Sequence, residues 1–247
     1  MALKALIFDV DGTLAETEEL HRRAFNKTFP EFGLDWNWDQ TLYRHFLNVT
    51  GGKERIASYM DERGFAADDP LRARIAEMHA AKTKFYTSYV LSGELELRPG
   101  VTRLMNEAIA VDIAVTIATT TSLANVKALL ETNFSAKIVD AIKIIGAGDM
   151  VENKKPAPDV YNIVVKQLGF APDECIAFED SRNGLLSAMV AGIPTLITPG
   201  IYTDDNDFSG AACIVSNLGE PKTPNAHIAG FGNEYSYVSI EMLQKSL

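Results

Sequence analysis

Asp9 and Asp11, in the segment Asp9-Val10-Asp11-Gly12-Thr13, have the type and spacing to do chemistry together. In an extended chain residues i and i+2 share a face, so the two carboxylates can converge on one site. A phosphoryl transfer needs a nucleophile, an acid for the leaving oxygen, and cations to cover the phosphate charge. Asp9 suits the nucleophile and a metal ligand. Asp11 suits an acid that protonates the leaving alkoxide and then activates water. Gly12 permits a tight reversal that brings backbone close to a ligand. Taken alone, the same five residues also read as an Asp-Gly turn with solvated carboxylates.

Three further segments weigh against the plain turn. The hydroxyl of Thr119 and the backbone N–H of Thr120 suit phosphate oxygens, although a threonine-rich loop is also a common cap. Lys155, in Lys154-Lys155-Pro156-Ala157-Pro158-Asp159, can neutralise both Asp9 and a phosphate, while Lys154 reads as solvated. Glu179 and Asp180 follow an apolar run, where adjacent carboxylates are costly unless a cation lies between them. Magnesium, with its demand for oxygen ligands, fits that place.

The elements that must position these residues alternate in type. Leu3 to Phe8, interrupted by one lysine, Ile113 to Ala118, with one threonine, and Cys175 to Phe178 are otherwise apolar runs that read as parallel strands buried on both faces. Ala141 to Ile145 is a weaker strand candidate, Thr195 to Ile197 a further one, and Cys213 to Val215 a short edge candidate. Helical patterns over Val101–Ala110, Val160–Leu168 and Leu185–Ala191 lie between them, the last two stopping at Gly169 and Gly192. Strand alternating with helix predicts an α/β fold, a Rossmann-like doubly wound parallel sheet. Such sheets bind ligands at strand carboxyl ends, where every residue above is found.

One stretch breaks the alternation. Residues 15–97 show only helical periodicity, with Leu20, Ala24 and Phe25 on one face, Ile56, Tyr59 and Met60 on another, and Ile75, Met78, Lys82 and Phe85 on a third. The expected organisation is an α/β core of residues 1–14 and 98–247 with an inserted all-helical cap of residues 15–97. The tail from Leu218 to Tyr237 carries no motif, His227 within it reads as an exposed loop residue, and a short helix is expected near Ser239 to Lys245.

The 247 residues are 47% apolar and 23% charged, the balance of a folded globular protein. A net charge of −10 without a basic stretch argues against nucleic acid or an anionic membrane as partner. The start, Met1-Ala2-Leu3-Lys4, runs straight into a strand rather than a signal peptide, and no apolar run approaches a membrane span. Cys175 and Cys213 read as buried thiols. A monomer in a reducing compartment is expected, cytoplasmic or, in a photosynthetic eukaryote, the plastid stroma.

The four segments, in this order, resemble the motifs of the haloacid-dehalogenase-like hydrolase superfamily. The resemblance spans Leu3 to Gly200. It implies Asp9 as nucleophile, Asp11 as general acid and base, and Thr119 and Lys155 as phosphate-binding catalytic residues. It also implies magnesium held by the Asp9 carboxylate, the Asp11 backbone carbonyl and Asp180, with Glu179 close behind. An acid at Asp11 favours phosphoryl transfer over dehalogenation within this family.

The insert should set specificity. Glu18, His21 and Arg22 share a helical face by i, i+3, i+4 spacing. Thr50-Gly51-Gly52-Lys53-Glu54-Arg55 is a glycine-rich turn entering a helix, whose N–H groups, with Lys53 and Arg55, suit an anion. Lys82 can add another cation. The same residues also read as a loop and a solvated face. The stretches Thr13–Asn26, Gly33–Trp36, Thr50–Ile56, Ala118–Ser122 and Gly146–Val151 resemble the CbbY-type branch of the family, whose members are xylulose-1,5-bisphosphate phosphatases acting on an inhibitor of Rubisco. The resemblance implies a small phosphorylated sugar as partner. It suggests that Gly51, Gly52, Lys53, Arg55 and Lys82 grip a distal phosphate and that Glu18 and His21 bond sugar hydroxyls. β-Phosphoglucomutase shares the Asp9/Asp11 pattern, and a non-catalytic protein on the same fold is an alternative of another class.

Overall fold

The computed structural model describes residues 2–49 and 51–246. Thr50, which opens the glycine-rich turn, lies outside the described residues. The chain divides into two compact units, Met1–Glu16 with Glu96–Leu247, and Thr17–Leu95. The boundaries fall two residues inside those expected from the sequence. Ala15 pairs with Leu97 in an antiparallel bridge, which ties both connecting segments to the α/β unit.

Strand β1 (Ala5–Phe8) leads through a tight turn into the helical unit. That unit consists of α1 (Thr17–Thr28), α2 (Gln40–Leu47), α3 (Gly52–Glu62) and α4 (Ile75–Leu91), with short 3-10 turns at Phe29–Phe32 and Pro70–Arg74. Its core is aromatic: Phe25, Phe29, Trp36, Trp38, Tyr43, Phe46 and Tyr59 pack edge-on, tilted or stacked against one another. On α4 the buried stripe is Met78, Lys82, Tyr86 and Val90; Ile75 and Phe85, expected on it, are only half-buried.

The rest of the chain runs α5 (Val101–Ala110), β2 (Ala114–Ala118), α6 (Leu123–Asn133), α7 (Ala136–Ala141), β3 (Ile145–Gly146), α8 (Asp159–Leu168), β4 (Cys175–Glu179), α9 (Arg182–Val190), β5 (Thr195–Ile197), β6 (Cys213–Val215), β7 (His227–Gly230) and α10 (Ile240–Ser246). The strands form one sheet in the order β3-β2-β1-β4-β5-β6-β7, parallel except for β7. β1 and β4 are buried at every position, because helices cover both faces. Ala5, Ile7, Ala177 and Ala188 pack with Val160, Tyr161 and Val164 of α8. In-register pairing stacks Phe8 on Phe178, ring centroids 4.4 Å apart.

Three sequence expectations change. The strand proposed over Ala141–Ile145 shrinks to Ile145–Gly146, because α7 runs through Ala141. Cys213–Val215 is not an edge, since β7 pairs outside it. His227 opens that outer strand, its Nε2 3.1 Å from the Phe231 carbonyl, instead of sitting in a loop. Among the described residues no helix is long and apolar enough to cross a membrane.

Candidate active site

The sheet order reverses direction between β1 and β4: the chain proceeds outward to β2 and β3 on one side and to β5 and β6 on the other. Ligands bind at such a switch point, beyond the strand carboxyl ends. Asp9 follows β1 there, and its N–H bonds the Phe178 carbonyl at 3.0 Å, which brings it level with Glu179 at the end of β4. Single carboxylate oxygens, one each from Asp9, Glu179 and Asp180, lie within 4.8 Å of one another, and all three residues are buried.

Lys155 reaches the same point from the loop before α8. Its Nζ donates to Asp9 Oδ1 at 2.7 Å, to Glu179 Oε1 at 2.5 Å and to the carbonyl of Ala118 at 2.8 Å. One ammonium thus joins the ends of β1, β2 and β4. Burial alone would favour a neutral lysine, but the carboxylates of Asp9 and Glu179 outweigh it and push Lys155 above its ordinary pKa. Burial pushes Glu179 up to about 7; Lys155 opposes this, and Asp9 adds to it. Tyr161 also donates to Glu179 Oε1, at 2.7 Å, and burial together with Glu179 keeps its phenol protonated.

Three buried carboxylates against one ammonium leave an excess of negative charge that a divalent cation would balance. The donor set is all oxygen, which suits magnesium. Two glycines make room for these carboxylates. A Cβ on Gly12 (φ 83°) or on Gly184 would run into the carboxylate of Asp180 or of Glu179 respectively. Gly12 sits in a reversal whose N–H bonds the Ala15 carbonyl at 2.9 Å, and Asp11 beside it is half-buried.

Thr119 is fully buried after β2. Its hydroxyl accepts from the N–H of Thr121 at 3.2 Å, which leaves its own proton to donate. Thr120 packs its carbonyl against Gly148, where no side chain would fit. Asp149 accepts from the N–H of Leu123 at 3.2 Å, so the loop after β3 holds the start of α6 in place.

The helical unit brings its predicted residues into two groups. Tyr43 donates to Glu18 Oε2 at 2.6 Å and accepts from Arg55 Nη1 at 3.1 Å, and Arg55 also bonds the Val49 carbonyl. Lys82 Nζ donates to His21 Nδ1 at 2.8 Å, and His21 stacks on Tyr86. Burial, then Lys82, keeps His21 well below the ordinary histidine pKa, and His79 is held at about 4 by burial and Lys82. Lys82 is therefore a buried cation over Phe25 and Tyr86, not a solvated one. Gly51 (φ 102°) caps α3, with the Glu54 carboxylate folded against it; Gly52 lets the helix start approach His79 closely; Lys53 is exposed. Arg22 donates to the Trp38 carbonyl at 2.7 Å and forms a half-buried ion pair with Glu19.

Sequence reasoning missed Tyr161, Gly184, Thr203 and Arg98. Tyr161 had one signal, a phenol on the apolar face that α8 shares with Val160 and Val164. Arg98 had another, a charge between an apolar position and a Pro-Gly turn.

Residues 6–198 match the haloacid dehalogenase-like hydrolase family. The chain is 50% identical over 223 residues to protein CbbY of Rhodobacter capsulatus, covering 90% of this chain and 97% of that one. It is similar to the crystal structure of CbbY from Rhodobacter sphaeroides in complex with phosphate, with a TM-score of 0.78 and 46% identity over 88% of this chain and 96% of that chain. It is likewise similar, at a TM-score of 0.78 and 45% identity over the same shares, to a variant of that protein in complex with xylulose-(1,5)bisphosphate. The chain belongs to the haloacid dehalogenase-like hydrolases, in their CbbY branch, and is a phosphatase.

Proposed function

We propose that the protein is a magnesium-dependent phosphatase of small phosphorylated sugars, with xylulose 1,5-bisphosphate as its substrate and xylulose 5-phosphate as its product. The observation that carries the chemistry is the Lys155 ammonium bonded to Asp9 and Glu179 beside Asp180, at the switch point of the sheet. The choice of sugar rests on the likeness to CbbY with xylulose-(1,5)bisphosphate bound.

Asp9 attacks phosphorus and becomes an aspartyl-phosphate as the sugar alkoxide departs. Asp11 gives that alkoxide its proton, then takes one from the water that cleaves the acyl phosphate, so phosphate leaves and Asp9 is restored. Lys155 fixes the Asp9 carboxylate and covers phosphate charge; Thr119 donates its hydroxyl proton, and Thr120 its N–H, to phosphate oxygens. Asp9, Asp180, Glu179 and the Asp11 carbonyl would hold magnesium, which when bound neutralises charge developing on the transferred group. In the helical unit, Gly51, Gly52, Lys53 and Arg55, with Lys82, serve the distal phosphate, and Glu18 and His21, the latter bonded to Lys82, bond sugar hydroxyls.

The test is release of inorganic phosphate from xylulose 1,5-bisphosphate with magnesium present. Hydrolysis leaving xylulose 5-phosphate is expected, and interconversion of β-glucose 1- and 6-phosphates without net release would replace this reading with a mutase. Lys53→Ala should raise KM for the bisphosphate about tenfold, the worth of one charge-assisted bond, and leave p-nitrophenyl phosphate turnover unchanged. Equal losses on both substrates would remove Lys53 from the distal-phosphate group.

A further inference from the structure

Arg98 is buried, at 8% exposure, just after the bridge between Ala15 and Leu97. Its Nη1 donates to the carbonyls of Gly12 at 2.5 Å and Thr198 at 2.9 Å. Its Nη2 donates to those of Pro199 at 2.9 Å and Ser216 at 3.0 Å. The Glu16 carboxylate, 3.2 Å from Nη1, supplies the countercharge. A guanidinium has four hydrogens on its two terminal nitrogens, set in a rigid plane, and here those nitrogens are met by four carbonyls and the Glu16 carboxylate. Those carbonyls come from three separate loops, after β1, β5 and β6.

Two of these loops touch the carboxylates of the candidate site. Gly12 is the residue after Asp11, and a Cβ on it would run into the Asp180 carboxylate. The Gly12 N–H bonds Ala15, and its carbonyl bonds Arg98, so both peptide planes flanking Gly12 are fixed. The Asp11 carbonyl lies in the first of those planes, antiparallel to the fixed N–H. On the other side, the Thr198 N–H bonds the Glu179 carbonyl at 2.8 Å. Gly200 N–H donates to Thr203 Oγ1 at 2.9 Å, and Thr203 in turn bonds Asp180 Oδ2 at 3.4 Å. Arg98 therefore joins the turn carrying Asp11 to the loop that supports Glu179 and Asp180.

We propose that Arg98 is a positioning residue of the phosphatase site: its guanidinium locks the Asp11–Gly12 turn to the Thr198–Thr203 loop, which sets the spacing of the groups that hold magnesium and protonate the leaving oxygen. This rests on the phosphatase reading of the same site. Lysine cannot replace it, because a single ammonium cannot span four carbonyls in one plane.

The experiment compares wild type, Arg98→Lys and Thr203→Val by calorimetric titration of magnesium and by p-nitrophenyl phosphate hydrolysis, both well below each protein's Tm. Arg98→Lys is expected to weaken magnesium binding about 10-fold or more, as outer-shell changes do. It should also lower kcat about 10–100-fold, since small misplacements of reacting groups cost that much, while KM moves little. Thr203→Val, on a peripheral loop, should weaken magnesium binding in the same direction by a smaller factor and covers the case in which Arg98→Lys does not fold. A lowered Tm with wild-type magnesium affinity and kcat in the folded variants would reduce Arg98 to a structural bond and overturn the proposal. A wild type that binds magnesium but hydrolyses nothing would instead overturn the phosphatase reading. The magnesium titrations of the variants would still decide whether Arg98 sets the spacing of the site.

Discussion

Lys155 holds its charge at a point where three acidic side chains already crowd together, and that arrangement explains why neighbouring residues are what they are. Its Nζ satisfies Asp9 and Glu179 at once, and the second oxygen-bonding partner of Glu179 is the Tyr161 hydroxyl. A hydrogen bond to a charged, buried acceptor is worth about 1.5–3 kcal/mol. Tyr161→Phe keeps the ring against Lys155 but removes that bond, so stability above pH 7, where Glu179 is charged, should fall by about that amount in denaturant unfolding. An unchanged midpoint would mean that Glu179 does not depend on Tyr161. Asp9, Asp11, Thr119, Lys155, Glu179 and Asp180 were legible in the sequence because each stands at the end of an apolar run or in a turn, where its polarity is conspicuous. Tyr161 and Arg98 were not, because their roles are defined by partners 18 to 118 residues away in the chain.

The elements divide along the same physical line. β1 and β4 were readable as unbroken apolar runs, the mark of a strand covered on both faces. β7 was not, since its residues are mostly exposed and pair along one edge only. α7 was hidden because the apolar run after it blurs the period of so short a helix. In the helical unit, α1, α3 and α4 gather His21, His79, Lys82 and Arg55, and this clustering has a consequence for pH. Both histidines have folded pKa values below the ordinary 6.5, His79 at about 4. Between about 4 and 6.5 the unfolded chain binds protons that the folded unit refuses, so this contribution is present above 6.5 and lost as pH falls toward 4. Both tryptophans of the protein, Trp36 and Trp38, lie in this unit and report its unfolding. Their fluorescence should show a urea midpoint that falls from pH 7 to pH 4.5, and His79→Gln should flatten that fall. An equally steep profile in the variant would mean that His79 does not contribute.

At the scale of the whole molecule, the chain pairs an α/β unit carrying a cation-joined carboxylate cluster with a helical unit in which Lys82 is a buried cation. The net charge of −10 makes such concentration of positive charge informative, because the few cations are placed rather than spread. Fold class and the order of the units followed from strand-helix alternation and its interruption. What the interruption does to substrate choice rests on relatives rather than on any spacing in the sequence. Asp9 as the nucleophile of a magnesium-dependent phosphate release is the step on which every other role depends. The direct measurement is phosphate released from xylulose 1,5-bisphosphate by wild type and by Asp9→Asn, each with magnesium and with a chelator. Wild type with magnesium should turn over, and Asp9→Asn and the chelated enzyme should lose about 10³-fold or more. Asp9→Asn hydrolysing at the wild-type rate would contradict the account.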